Sequence, residues 1–144
     1  MKSANKNTRR LQDFTVNVKY RLSGLWITVM LCYIYGDIFS LFVPGRIRDI
    51  INGNWGFGTT TPLKLLIASI MMAVPASMIF LSLVLKPKIN RWLNMVFGAT
   101  YTVIMVLTIL DSINLWWAFY IFLGVVELVI TSIIVWQAWN WPTQ

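Results

Sequence analysis

The sequence predicts an all-α protein, a four-helix transmembrane bundle with both termini on the cytoplasmic side. Three observations lead there. The chain is 58% hydrophobic, against roughly 45–50% for an ordinary soluble domain, so lipid is the expected solvent. Four apolar stretches, about Gly24 to Val43, Leu63 to Leu85, Trp92 to Leu110 and Leu115 to Trp136, each approach the ~20 residues that cross a ~30 Å hydrocarbon core. The basic residues, finally, cluster by side. Lys2, Lys6, Arg9, Arg10, Lys19 and Arg21 precede the first stretch and Lys86, Lys88 and Arg91 join the second to the third, while Arg46, Arg48 and Lys64 lie opposite. That bias places the termini inside by the positive-inside rule and argues against dual insertion.

The first stretch follows basic residues as a secretory signal does, but it is too long and no small-residue cleavage site follows it, so a retained span is expected. Upstream, "RRLQDFTVNVKYRLSGLW" repeats Leu11, Phe14, Val18 and Leu22 at near-helical spacing. It reads as an interfacial segment whose cations hold the span at anionic headgroups.

The connection from Pro44 to Pro62, "PGRIRDIINGNWGFGTTTP", is the longest loop. "IRDII" suits one or two helical turns, and the glycines and asparagines after it favour turns. Thr61 and Pro62 make a helix start, since proline at the first position gives up an N–H that had no partner. The loop reads either as a functional element or as a lid over helix ends.

In the second span Pro75 removes a backbone hydrogen bond, predicting a kink and a freed carbonyl near Met71. Ser69, Ala73, Ala76 and Ser77 form a small-residue face suited to helix packing. In the third span Gly98, Tyr101, Met105 and Thr108 share a stripe. Asp111 reads as a helix cap or solvated turn residue of "DSIN". Tryptophans 26, 55, 92, 116, 117, 136, 139 and 141 fall near span boundaries, as an aromatic belt requires.

The net charge of +7 is spent on topology, so nucleic acid is not an expected partner. There is no histidine and a single cysteine, Cys32, which leaves zinc and haem sites without their usual ligands and excludes an intramolecular disulfide or thiol pair. Cys32 itself reads as a small apolar residue. No phosphate-binding or dinucleotide glycine pattern and no nucleophile turn appears. No cofactor or metal is expected.

Two acids fall inside spans. Steps of seven, four and three residues place Trp26, Tyr33, Asp37 and Ser40 on one stripe of the first span, so the phenol and hydroxyl are expected within reach of the Asp37 carboxylate. In the fourth, Tyr120, Gly124, Glu127 and Thr131 make a matching stripe. At ~1.5 Å per residue Asp37 lies roughly 9 Å and Glu127 roughly 18 Å below the outer surface, too far apart to pair. A carboxylate at a span's centre costs on the order of 2.5–3.5 kcal/mol and usually faces the bundle interior. No basic residue lies within a span to offset it. Such an acid is protonated, lines a wet cavity, binds a cation or makes an interhelical bond.

The segments "MLCYIYGDIFSLFVPG", "LLIASIMMAVPASMIFLSLVLKPKINRWLN" and "FLGVVELVITSIIVWQAWNWP" resemble a family of small four-span membrane proteins, widespread in Bacteroidetes-type genomes and catalogued as a domain of unknown function. The resemblance covers the chain from about Lys19 onward. It implies four spans and a bacterial inner membrane, and it supplies no activity. A looser similarity, to small multidrug transporters, lies only in the use of an intramembrane carboxylate; this chain is longer, has a long outer loop and is biased in topology.

The functional expectation is a small channel or proton-linked carrier with Asp37 and Glu127 as sequential cation or proton sites, assembled as a homo-oligomer or with a membrane partner. The alternatives are a non-transporting scaffold or accessory subunit, and a lipid-modifying acid–base enzyme using Tyr33, Asp37 and Glu127. The enzyme requires a lipid-sized pocket beside Tyr33.

Overall fold

The computed structural model describes residues 15–55 and 58–142. Helix α1 spans Val18–Ser40, α2 Arg46–Ile51, α3 Pro62–Val84, α4 Pro87–Asp111 and α5 Ala118–Trp139, with a 3-10 turn at Leu115–Trp117 before the last. The four long helices are apolar enough to cross a membrane, and the chain is a multi-pass membrane protein. They form an up-down-up-down ring in which α1 packs on α3 and α5, and α4 on α5 and more lightly on α3.

Local chemistry accounts for the helix ends. The Asn17 side chain caps α1 by accepting from the Lys19 N–H, and the Thr61 hydroxyl caps α3 by accepting from that of Lys64, with Pro62 in the first turn. Lys86 and Pro87 turn the chain sharply from α3 into α4. Lys19 Nζ donates to the carbonyl oxygens of Leu83 and Leu85, at 3.2 and 2.7 Å, placing a cation on the C-terminus of α3.

The α4–α5 seam is the tightest. A Cβ on Gly98 would stand 2.8 Å from Val135 Cγ2, and one on Gly124 would stand 2.9 Å from Met105 Sδ. Glycine at these two positions lets the helices approach, the usual device where lipid offers no hydrophobic drive for association.

Several expectations are corrected. The first helix starts at Val18 and ends at Ser40, so the segment before the first span continues into it as one helix; residues 9–14 lie outside the described residues. Trp26 is no belt residue but is fully buried in the core. The small-residue face of α3, with Ser69, Ala73, Ala76 and Ser77, points outward, and the helix packs through Pro75, Met78 and Ser82 instead. Of the two readings of Asp111 the solvated one holds, since it is the exposed last residue of α4, and the cap in that connection is Asn114, whose side chain accepts from the Trp116 N–H.

The 44–62 connection is built as the sequence suggests, with α2 as its helical turn. The Thr60 N–H closes it on the Gly53 carbonyl at 2.7 Å. Arg46 stands over the Trp117 ring, 5.8 Å from its centroid, docking the loop on the start of α5.

Candidate functional site

The interior divides into a polar network near the α3–α4 turn and a cavity at mid-bundle. In the network, Trp26 Nε1 donates to Asn94 Oδ1 at 2.8 Å. Asn94 Nδ2 donates to Asn90 Oδ1 at 2.7 Å, and Asn90 Nδ2 to the Ser82 carbonyl at 2.6 Å. Trp26, Ser82, Asn90 and Asn94 are all fully buried. Four residues separate the two asparagines, so α4 presents both to the same neighbours. The sequence reading missed them; two amides one turn apart in an apolar span were the available signal.

Above the network Tyr101 packs edge-on against both Trp26 and Tyr33, with ring centroids 6.1 and 6.4 Å apart. Its hydroxyl donates to the Met71 carbonyl. That carbonyl lies four residues before Pro75, the position a proline leaves without its helical donor.

Glu127 lies beyond Tyr101, nine residues into α5 and so about 13 Å from its start. It is 1% exposed. Its Oε1 has no hydrogen-bond partner, and neither has the buried Tyr33 hydroxyl. Both line a cavity of about 10 Å³, together with Cys32, Met105, Tyr120 and Gly124. That volume is the least that holds one water, and two orphaned polar atoms on its wall suit a bridging one. A pocket of this size admits no lipid, so the pocket that lipid-modifying chemistry needs is not found beside Tyr33. The other buried polar side-chain atoms without a partner among the described residues, Arg46 Nε and Gln137 Oε1, lie near the ends of the bundle.

The remaining expected site residues take different places. Thr131 is fully buried and donates to the Glu127 carbonyl at 3.0 Å, with the Thr102 hydroxyl 2.9 Å from its own, so it ties α5 to α4. Tyr120 is half-buried on the cavity wall, its ring 3.4 Å from where a Gly36 Cβ would stand. It lies within electrostatic reach of Asp37, Glu127 and Arg46.

Asp37 departs most from its expected position. α1 ends at Ser40, so Asp37 occupies the last turn, about 4.5 Å from the helix end. Its side chain is exposed, and the positive charge that acts on it is Arg46, from the loop. The buried face of α1 runs through Trp26, Val29, Cys32, Gly36 and Ser40, which leaves Asp37 one residue off it. The Ser40 hydroxyl donates to the Asp37 backbone carbonyl at 2.7 Å and not to its carboxylate. Tyr33 lies beside Glu127 on the cavity wall instead.

Among the described residues no three histidine, cysteine, aspartate or glutamate side chains gather as a metal cluster. The sequence profile of DUF6326, a family of unknown function, matches residues 10–144. No curated protein and no solved structure matches the chain.

Proposed function

The chain belongs to the DUF6326 family, whose function is unknown, and we propose from its own geometry that it is a small proton-linked carrier with Glu127 as the exchanging group. One observation carries this reading. A carboxyl group 1% exposed sits inside a lipid-solvated bundle with one oxygen unpaired, on a cavity shared with an unpaired phenol. An acid kept only for packing is expected to have both oxygens bonded, because an unsatisfied buried polar group costs about 1–3 kcal/mol.

A route to Glu127 is suggested from one end only. Asp37 and Arg46 stand at the mouth, Tyr120 lies within reach of both Asp37 and Glu127, and Tyr33 completes the wall. Towards the termini the interior is closed by Val29, Met78, Ile130 and Ile134, all buried. A path open from one end at a time suits a carrier better than a pore. By the distribution of basic residues the mouth faces outward and the termini are cytoplasmic, and the resemblance to small bacterial four-span proteins implies an inner membrane. Four helices leave little room for a second half-path, so a second copy or a partner protein is part of the proposal. The outward small-residue face of α3 is where backbones would approach most closely. The Asn90–Asn94 network, fully bonded, favours a second reading as a rigid scaffold or accessory subunit.

Purified protein in liposomes with a trapped pH dye and an imposed potential tests the proposal. Wild type should take up protons, and Glu127→Gln should lose at least tenfold of the rate. Absence of uptake in the wild type, or full uptake in Glu127→Gln, would sink it. Single cysteines in a Cys32→Ser background should label readily at position 37 and slowly, from that side alone, at position 127.

A further inference from the structure

The mid-bundle cavity carries donors that proton exchange alone does not need. Two helices each contribute one, Cys32 from α1 and Met105 from α4, beside Glu127 from α5. All are buried, at 8, 3 and 1% exposed. We propose that this cavity binds one Cu(I) ion per chain, held by Cys32 Sγ and Met105 Sδ, with Glu127 relaying the proton that the thiol gives up.

Ligand softness selects the ion. Thiolate and thioether sulfur favour Cu(I), whereas zinc and the hard divalent ions need sets of histidine, paired cysteine or several oxygens. No such set gathers among the described residues. The space is of atomic size, about 10 Å³. The thioether is held in place against α5, since a Cβ on Gly124 would meet Met105 Sδ at 2.9 Å. Glu127 Oε1, unpaired on the same wall, is the second feature that points to a ligand there.

A monovalent ion keeps the site neutral at the cost of a single proton. The metal binds the thiolate and releases a proton. The S–H bond of Cys32 breaks and an S–Cu bond forms. Glu127 accepts that proton on its free oxygen and gives up the one it holds towards Tyr33 and Tyr120. Copper arrives and stays as Cu(I), so no electron moves. The net exchange is one Cu(I) in for one proton out, and the site is neutral before and after, as a buried site in lipid requires.

The assignment rests on the carrier reading for its use, but binding is measured without flux. Purified protein in detergent is titrated anaerobically with Cu(I) against a coloured Cu(I) chelator, with proton release followed in weak buffer. One ion per chain, one proton per ion and copper–sulfur scattering in X-ray absorption are expected. Cys32→Ser should lower affinity at least 100-fold and the similar-sized Met105→Leu about tenfold, each checked for an intact elution profile. Glu127→Gln should slow proton release at least tenfold while changing affinity only a few-fold. No binding, or binding that survives Cys32→Ser, overturns the proposal. Proton uptake into liposomes without Cu(I) binding removes this inference and leaves the carrier; Cu(I) binding without uptake does the reverse.

Discussion

Two buried polar regions lie a few turns apart in this bundle and are built on opposite rules. In the Trp26–Asn94–Asn90–Ser82 network the indole and amide donors find acceptors at 2.6 to 2.9 Å. At Glu127 a carboxyl oxygen and a phenol face a cavity with no direct bond. The same chain can satisfy polar groups in lipid, so the unsatisfied pair is not a failure of packing. The network is spent on holding α1, α3 and α4 together. The cavity keeps its bonding capacity for something that comes and goes.

Stability measurements in detergent sharpen that contrast. The largest effect is expected on the seam that frames both regions: Gly98→Leu should cost about 3 kcal/mol, because a side chain there meets Val135 at once. A variant that unfolds like the wild type would show that α4 and α5 are not held at this distance. Asn94→Ala comes next, at about 2 kcal/mol, since it strands the Trp26 indole and Asn90 together. Proton uptake per folded molecule should be unchanged, and a loss of uptake would join the two regions that the comparison separates.

Tyr101→Phe should cost about 1 kcal/mol by returning the Met71 carbonyl to its unpaired state beside Pro75. If stability is unaltered, the helix itself absorbs the loss. The smallest change belongs to Glu127→Gln, less than the about 0.5–1.5 kcal/mol of a lost hydrogen bond, because no direct bond to the free oxygen is broken. A cost as large as that of Asn94→Ala would make Glu127 a packing residue and erase the distinction.

Much of this is legible in the amino-acid sequence. Apolar run lengths identify four spans, Thr61 and Pro62 mark a helix start, Pro75 marks the carbonyl that needs another donor, and the Tyr120–Gly124–Glu127–Thr131 stripe faces the interior. These follow from chain geometry and from local rules of backbone bonding, which act over a few residues. Asp37 and Trp26 show where that reading ends. Helical period says which residues share a stripe, but the rotation of a helix about its own axis comes from its neighbours. In a soluble protein an amphipathic pattern would reveal that rotation. Here apolar residues surround every span, since lipid and core both take them, and the pattern is silent. Tertiary packing therefore decided that Trp26 turns inward to Asn94, that Asp37 faces out beneath Arg46, and that Cys32, Met105 and Glu127, from three separate helices, share one cavity.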